Sequence, residues 1–423
     1  MGHGIEHAVG IYIGLLLLAC VVGIAAKLIT HLPYTIFLTL VGLAIGVLQL
    51  GPPIEETGFG HELIFFVFLP PLLFHGAFHM ELPRLLKHIW PIVCFAIPGV
   101  LVSTLLVGGV VLWQGGLSDL LIALLFGALI SPTDPVSVLA LFKQADAPGD
   151  LRVLVEGESL FNDATGVVVF TIILDAVVRG AGLSIGAAAL KFITVSAGGL
   201  ALGGALGWLA FMLLRRLDDH LLENAICLAV AFGTFWLAEV LHLSGVIATV
   251  MAGLIIGNYG RRHSIGARTL HTVETFFESV DFLVNSFLFI LIGLELREIP
   301  SAVPVNPWRL ILVAIAAMLA GRAAVAYTFY WGLNQIGTRR PPAWKHVLFW
   351  GGLRGSIPIA LLLHLPGTET LPPDNPLVEY RPALILAGFA CVLFSLVVQG
   401  ATMQPLMRWL RIGGEPESLH AET

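Results

Sequence analysis

Charged residues are scarce in this sequence. Only 12% of its 423 residues are Asp, Glu, Lys or Arg, whereas 57% are hydrophobic. An ordinary soluble domain carries roughly a quarter of its residues as charged side chains, so this scarcity excludes a soluble catalytic domain, and we expect no enzyme activity. The formal net charge of −6 gives no indication of nucleic-acid binding, and we expect no nucleic acid among the partners.

Cysteine is also rare, and its spacing argues against two kinds of chemistry. The four cysteines, Cys20, Cys94, Cys227 and Cys391, each lie in an apolar run, and no pair has the CxxC spacing. We therefore expect small buried side chains, neither disulfides nor metal ligands, and no cofactor. The N-terminal MGHGIEH lacks the basic segment of a secretory signal, so the first apolar run is predicted to be retained as a helix.

Long apolar runs are what the sequence has in abundance, and its mean hydropathy is +0.90. A run of about 18 or more apolar residues predicts a membrane helix. We therefore predict an all-α polytopic membrane protein with about thirteen transmembrane helices. Numbered in chain order, the predicted helices span 8–28, 33–50, 60–79, 88–113, 117–145, 151–178, 184–214, 220–241, 244–260, 269–296, 308–333, 342–364 and 382–411.

These helices predict a single membrane transport domain over residues 1–411 and a short cytoplasmic tail over 412–423. Residues of about 8–178 form a first six-helix repeat, and residues of about 220–411 form a second. One connecting helix, at about 184–214, crosses the membrane between the two repeats, so the second repeat begins on the opposite side of the membrane from the first. The second repeat is therefore predicted to be inverted relative to the first, as in many secondary transporters.

The basic residues predict the orientation. Fifteen of them fall on one side of the predicted helices, and only Arg179, Lys191, Arg297, Arg309 and Arg381 fall on the other. Such an excess marks the cytoplasmic side of a membrane protein. We therefore predict a multi-pass protein of the cell membrane, in contact with lipid, with a cytoplasmic C-terminus and an extracytoplasmic N-terminus. The two remaining arginines lie inside predicted helices 11 and 12.

Predicted helices 5 and 12 are both interrupted. SPTDP at 131–135 breaks helix 5, because each proline removes a backbone donor and clashes with the preceding turn. GGLRGSIP at 351–358 breaks helix 12 through its glycines and proline. One such break would be an ordinary kink. Paired breaks at corresponding places in two repeats, one with Asp134 and the other with Arg354, instead indicate the midplane site of a secondary transporter where the two helices cross.

Predicted helix 6 carries a polar face at membrane depth, where charged groups usually mark ion or proton paths. Glu158, Ser159, Asn162 and Asp163 occupy an arc of roughly 140° on this helix. Hard cations prefer carboxylate, hydroxyl and carbonyl oxygens. Asp163 and Ser159 are candidate ligands, and the break at 133–134 adds a carbonyl and a second carboxylate.

Glu158 needs a partner, because an unpaired buried charge is costly. Arg322 and Arg354 are the two candidates inside the predicted membrane helices. We favour Arg322 for this ion pair and give the pair a structural role.

Four strings, taken together, resemble the sodium/proton exchangers of the NHE/NhaP type. They are FLPPLL at 68–73, SPTDP at 131–135, ESLFND at 158–163 and GGLRG at 351–355. The resemblance extends over all thirteen predicted helices. It implies the NhaA-like antiporter fold, a homodimer, and a six-helix core bundle that moves against a dimerisation domain by elevator-like alternating access.

The resemblance also implies roles for particular residues. Asp163 is the group that carries the cation and the proton, and Thr133, Asp134 and Ser159 help to coordinate the sodium ion. Asn162 is counted with these four in the predicted cation- and proton-binding set, and it matches the asparagine that separates electroneutral exchangers from relatives with two aspartates. Glu158 and the arginines, Arg322 and Arg354, match the structural ion pair.

His75 departs from the family pattern, in which an acidic residue often stands at this place. With His79 it forms an HxxxH spacing. Three interpretations stay open: a cavity-lining side chain, which is the simplest, a metal site with His79, which would require further ligands, and a group that titrates near neutral pH and tunes the pH dependence.

The predicted mechanism is competition between a cation and a proton for Asp163. Burial disfavours the charged form of a carboxyl group, which allows a proton to compete at neutral pH. Because Asn162 carries no second proton, we predict electroneutral exchange of one Na⁺ for one H⁺. The alternatives are Li⁺ or K⁺ as the preferred ion, an ion channel or sensor, and an intramembrane hydrolase that uses Asp134 and Asp163.

Overall fold

The computed structural model describes residues 2–29, 34–50, 62, 64–134, 138–139, 142, 146–180, 182–217, 219–260, 267–297, 299, 305–336 and 340–412. Across these residues the regular structure is helical, and no strand occurs among them. The predicted all-α class is therefore confirmed. The predicted tail after residue 412 and most of predicted helix 5 beyond its break lie outside the described residues.

The helices are numbered here by the predicted span that each one occupies. They are α1 Gly2–Ile29, α2 Tyr34–Leu48, α3 Ile64–His79, α4 Ile89–Gly115, α5 Leu120–Leu129, α6 Gly149–Val178, α7 Ile185–Leu214, α8 His220–Val240, α9 Gly245–Gly260, α10 Ala267–Arg297, α11 Pro307–Ile336, α12 in two pieces, Trp344–Trp350 and Ser356–Leu363, and α13 Pro376–Trp409. A short helix, Leu82–Lys87, precedes α4.

Within the described residues, seven helices are long and apolar enough to cross a membrane, and five shorter apolar helices accompany them. The multi-pass architecture predicted from the apolar runs is thereby supported. The count of thirteen crossings stays a prediction.

The predicted start of helix 13 at residue 382 was wrong. Helix α13 begins at Pro376, where the side chain of Asn375 caps it by accepting from the Leu377 amide at 2.9 Å. Pro382 lies inside the helix. Arg381, assigned from sequence to an extracytoplasmic loop, also lies in α13, and its Nη1 donates to Oε1 of Glu295 on α10 at 2.6 Å. The charge of Arg381 concealed the start of the helix because its partner is remote in the chain.

The break in α12 is shorter than predicted. The non-helical segment runs from Gly351 to Gly355, and the second piece of the helix begins at Ser356. Pro358 is therefore the third residue of that piece and does not interrupt it. A proline is tolerated there because the first amides of a helix have no partner within the helix.

Glycines allow the helices to approach closely. On α7, Gly199, Gly203 and Gly207 face α9: a Cβ at Gly199 would lie 2.8 Å from the Ser244 carbonyl oxygen, and one at Gly203 would overlap the carbonyl of Ala248. The GxxxGxxxG stripe of α7 thus serves contacts within the chain. A similar close crossing joins α2 to α10.

The helices form two groups with the cavity of interest between them. Helix α9 contacts α3, α7 and α8, helix α8 also contacts α3 and α7, and α10 contacts α1, α2 and α3. In the other group α4 contacts α5, α6 and α11, and α13 contacts α5, α6, α11 and the second piece of α12, which also contacts α10. The interrupted segments lie in this second group, directly opposite α3 and α10.

The α7–α9 contact generates a first prediction. Gly203→Ala should destabilise the protein by about 1–3 kcal/mol, because the added methyl group overlaps backbone that cannot retreat. Gly204→Ala is the matched control, since nothing lies within 4 Å of a Cβ at Gly204, and it should be neutral or stabilising by up to ~1 kcal/mol through helix propensity. Thermal unfolding in detergent measures both, and equal melting temperatures for the two variants would contradict the interpretation.

Candidate functional site

The two interrupted helices meet through their backbones. Residues 131–134 and 351–355 are both non-helical, and the Asp134 amide donates to the carbonyl oxygen of Leu353 at 2.7 Å. The crossing predicted from the paired breaks is therefore present. In hydrocarbon, backbone groups freed by a break must find partners inside the protein, and here each break supplies a partner to the other.

Arg354 completes the crossing. This residue is only 2% exposed, and its Nη1 donates to the carbonyl oxygens of Ser131 at 2.6 Å and of Pro132 at 3.0 Å. Its own amide donates to Oγ of Ser395 on α13 at 2.8 Å. Arg354 thus places its positive charge on carbonyls at the C-terminal end of α5, which is the negative end of that helix.

Asp163 lies beside the first break. Its Oδ1 accepts from the Thr133 amide at 3.1 Å, and the hydroxyl groups of Thr133 and Ser159 share a hydrogen bond of 2.9 Å. Helix α6 comes this close because of Gly166, where a Cβ would lie 2.8 Å from Cγ of Pro132. Three polar side chains of the predicted cation site are therefore assembled around one buried, non-helical stretch of backbone.

Asp134 is the fourth member of this group, and it lies against the second break. A Cβ at Gly355 would fall 2.6 Å from Cβ and 2.8 Å from Oδ2 of Asp134. The Asp134 carboxylate therefore occupies space that only a glycine at position 355 leaves open. The glycine of one interrupted helix positions the carboxylate of the other.

Glu158 forms its ion pair with Arg322. Nη1 and Nη2 of Arg322 donate to the two carboxylate oxygens of Glu158 at 2.6 and 2.8 Å. Arg322 is 5% exposed and Glu158 is 1% exposed. Nε of Arg322 donates to the Leu348 carbonyl at 2.9 Å. Arg354, the other candidate partner, binds the carbonyls of the break instead.

Asn162 belongs to this ion-pair network. Its Nδ2 donates to Oε1 of Glu158 at 3.2 Å. The cavity that contains Asp163 has no wall formed by Asn162 or Ser159. The structure thus divides the predicted cation-binding set: Thr133, Asp134 and Asp163 face the cavity, Ser159 stands behind Thr133, and Asn162 lies apart.

The cavity in front of Asp163 has a volume of about 330 Å³. One wall is formed by the first break, by α6 and by the start of the second piece of α12. The opposite wall comes from α3 and α10. Its polar lining residues are Thr35, His75, His79, Thr133, Asp134, Glu156, Asp163, Asp281, Asn285 and Ser356. The space is large enough for a cation with part of its hydration shell.

His75 reaches into this cavity from α3 and contacts Asp281 of α10 through its Nδ1. One turn further, Nε2 of His79 lies 3.6 Å from Oε1 of Glu274. His79 also donates through Nδ1 to the His75 carbonyl at 3.1 Å. Among the described residues no group of three His, Cys, Asp or Glu side chains is arranged to hold a metal, so the metal interpretation of the HxxxH spacing gains no support.

Asp281 is the functional residue that sequence reasoning placed least well. It belongs to a polar stripe of α10 with Glu274, Glu278 and Asn285, at steps of three and four residues along the helix. In the structure Asp281 and Asn285 line the cavity, and Glu274 pairs with His79. The four-residue spacing was a usable signal, but the histidine partners on α3 were not readable from it.

Buried carboxylates at the crossing of two interrupted helices, inside a multi-pass helical protein, define a class. They are typical of secondary transporters that bind a small ion near the middle of the membrane.

Comparison with known proteins identifies the family. A sequence model described as "Sodium/hydrogen exchanger, transmembrane" matches residues 15–409. The Na(+)/H(+) antiporter ApNhaP of Aphanothece halophytica is 38% identical over 390 residues, covering 91% of this chain and 71% of that protein. The Na(+)/H(+) antiporter NhaP of Pseudomonas aeruginosa is 38% identical over 388 residues, covering 87% of this chain and 88% of that protein. The chain belongs to the sodium/hydrogen exchanger family, and the resemblance seen in its motifs is confirmed.

A solved structure supports the fold. The sodium proton antiporter MjNhaP1 from Methanocaldococcus jannaschii aligns with a TM-score of 0.78 at 23% identity, covering 97% of this chain and 100% of that chain. The arrangement of helices described above is therefore that of a known antiporter fold.

The Gly355–Asp134 contact generates a second prediction. Gly355→Ala should displace the Asp134 carboxylate, and a shift of about 1 Å in a positioned group can cost roughly 100-fold in rate. Sodium-driven proton movement in proteoliposomes should fall at least ~10-fold on that scale. Gly76→Ala is the control, because Gly76 lines the same cavity but its added Cβ would meet only Leu160 Cδ1, at 3.5 Å. Full activity in Gly355→Ala would contradict the assignment.

Proposed function

We propose that this protein exchanges Na⁺ for H⁺ across the membrane, with both ions competing for Asp163. The observation that carries the proposal is the position of Asp163. It is 4% exposed, yet it lines a cavity beside Asp134 at the point where two interrupted helices cross. The curated relatives ApNhaP and NhaP, named Na(+)/H(+) antiporters, support the same activity.

The competition follows from what the neighbouring groups offer. Carboxylate and hydroxyl oxygens from Asp163, Asp134 and Thr133, which line the cavity, are the ligands that a hard monovalent cation prefers. Ser159 supports this set through its hydrogen bond with the Thr133 hydroxyl. Without a cation, the buried Asp163 carboxylate has one backbone hydrogen bond, from Thr133, and burial favours its protonated form. Either ion neutralises the site, so each one displaces the other.

Electroneutral exchange of one Na⁺ for one H⁺ is the stoichiometry that we propose. Asn162 is an amide that donates a hydrogen bond to Glu158. An amide neither gains nor loses a proton in the physiological pH range, so Asn162 cannot transport one. The charge of Glu158 is matched by the two-point contact with Arg322. We assign this pair and Arg354 a structural role. Of the two α6 carboxylates that line the cavity, Glu156 and Asp163, we assign the carrier role to Asp163, because its Oδ1 contacts the first break through the Thr133 amide.

The architecture suggests how the helices move during transport. We infer inverted repeats at about 8–178 and 220–411, joined by the helix at 184–214, within one transport domain of residues 1–411. The group that carries the interrupted helices moves against the group that carries α3 and α7, in the elevator manner. The protein acts as a homodimer in the cell membrane, surrounded by lipid, with a cytoplasmic C-terminus and an extracytoplasmic N-terminus.

His75 is assigned a tuning role. It contacts Asp281. The titratable groups that share the cavity with this pair are His79, Asp134, Glu156 and Asp163, and Glu278 acts on Asp281 from the same helix. When the imidazole is protonated, it balances the charge of Asp281. When it loses the proton, the cavity becomes more negative and attracts cations more strongly. A rise in pH should therefore favour cation entry through His75 as well as through Asp163.

The experiment that tests the function uses purified protein in proteoliposomes with a pH-sensitive dye inside. A sodium gradient should drive proton movement in the parent protein, and Asp163→Asn should abolish it while leaving the melting temperature and the oligomeric state unchanged. Asp175→Asn is the control on the same helix. Asp175 forms exposed ion pairs with Arg179 and Lys191, which contribute little, so that variant should remain active.

The same vesicles test the stoichiometry and the alternatives. Proton movement that needs sodium and is unaffected by clamping the membrane potential establishes electroneutral exchange. Dependence on the potential would overturn the one-to-one count and implicate Asp134. Replacing sodium by lithium or potassium ranks the ions. If none of the three ions moves protons, the channel or sensor interpretation replaces the exchanger.

A separate prediction concerns His75. In His75→Gln the cavity no longer gains positive charge at acidic pH, so the exchange rate should fall less steeply from alkaline to acidic conditions than in the parent. His346→Gln is the control, because His346 contacts Tyr327 and lies outside the cavity. The pH profile of sodium-driven proton movement distinguishes the two variants. An unchanged profile in His75→Gln would remove the tuning role.

A further inference from the structure

A second and much smaller cavity lies behind the cation site, on the side of α6 that faces α4 and α11. Its volume is about 10 Å³. Its polar lining consists of Ser103, Ser131, Asn162, Arg322 and Arg354, and its apolar lining of Phe95, Gly99, Val100 and Val325. The cation cavity does not include any of these residues. This smaller cavity therefore belongs to the structural core that supports the crossing.

Three polar atoms of its lining have no hydrogen-bond partner in the part of the chain that the structure describes. They are Oγ of Ser103, Oδ1 of Asn162 and Nε of Arg354. The three residues are 6%, 4% and 2% exposed. A buried polar group without a partner costs about 1–3 kcal/mol. Three such atoms around one cavity are therefore a strong reason to expect a bound molecule there.

The orientation of Asn162 is determined independently. Oε1 of Glu158 can only accept, so the Asn162 atom that contacts it at 3.2 Å is the Nδ2 donor. The amide oxygen of Asn162 must then point the other way. It is an acceptor that requires a donor. Arg354 Nε is a donor that requires an acceptor, and the hydroxyl of Ser103 can act as either.

We propose that this cavity binds one water molecule. A cavity of about 10–15 Å³ in this measure holds a single water, which needs two to four polar partners. The water accepts from Arg354 Nε, donates to Asn162 Oδ1 and forms its third hydrogen bond with Ser103 Oγ. A sodium ion is excluded, because the two guanidinium groups of Arg322 and Arg354 line the same space and repel cations.

The water gives the two arginines a shared network. From the Leu348 carbonyl, hydrogen bonds run through Arg322, Glu158 and Asn162 to the water. From the water they continue through Arg354 to the carbonyls at the first break. The ion pair and the crossing are then joined without any group that takes part in cation binding. Asn162 thereby acts as a positioning residue for Arg354.

The direct test is an experimental density map of the whole protein, at a resolution where other buried waters are visible. The expected result is a peak within about 2.7–3.2 Å of Ser103 Oγ, Asn162 Oδ1 and Arg354 Nε. A map that shows other buried waters and no peak at this place would overturn the proposal.

A second test compares Ser103→Thr with Ser103→Val in thermal unfolding. The two side chains have the same shape, but only threonine keeps the hydroxyl that binds the water. If the water is present, the threonine variant should have the higher melting temperature. If the cavity is dry, the hydroxyl lacks a partner and the valine variant should equal or exceed it. Thr104→Val is the control. Its buried hydroxyl lies outside this cavity and has no partner among the described residues, so the variant should not lower the melting temperature.

This outcome is separable from that of the exchange activity. Both Ser103 variants leave Asp163 and the cation cavity unchanged, and neither test requires transport. If the density map shows no water at this place, the proposed exchange activity is unaffected. If the exchange activity is not found, the water site is still tested by the density map.

Discussion

The structure depends on how an interrupted helix is tolerated in an apolar interior. A break at 131–134 frees backbone groups that hydrocarbon cannot satisfy. Among the described residues, one backbone hydrogen bond, from the Asp134 amide to the Leu353 carbonyl, satisfies part of this requirement. The guanidinium group of Arg354 satisfies another part by donating to the Ser131 and Pro132 carbonyls. This solution brings a charge into the core. Behind the site, the second buried arginine, Arg322, is paired with Glu158.

The crossing also explains why the cavity in front of Asp163 has two unlike walls. On one side, Thr133 and Asp134 lie on non-helical backbone; Gly166 leaves room for the neighbouring Pro132, and Gly355 leaves room for the Asp134 carboxylate. On the other side, His75 and Asp281 project from regular helices into the cavity. The first wall is determined by backbone geometry and the second by side chains. In the alternating-access cycle that we propose, these two walls separate and meet again, and the contact between His75 and Asp281 lies wholly on the second wall.

Local patterns predicted much of this architecture. Apolar runs predicted the helices, prolines and glycines predicted the two breaks, and the helix periodicity of Glu158 to Asp163 predicted a polar face. The predicted start of α13 was wrong because a charged residue such as Arg381 is typical of a loop, and its partner Glu295 lies 86 positions away in the sequence. The contact of His75 with Asp281 spans 206 positions. A carboxylate and its partner on separate helices leave no spacing signal, so such pairs become visible only once the fold brings the helices together.

The glycine at position 355 has a consequence for how this transporter can diverge. Because Asp134 fills the space of the missing side chain, any larger residue there disturbs the carboxylate itself. The interrupted helices therefore offer few positions at which ion preference can be adjusted by small steps. The α3–α10 wall has no such restriction, since His75, Asp281 and Asn285 project from continuous helices. We therefore expect substitutions that adapt this protein to a different salt or pH to occur in the α3–α10 wall, and the residues of the crossing to stay unchanged.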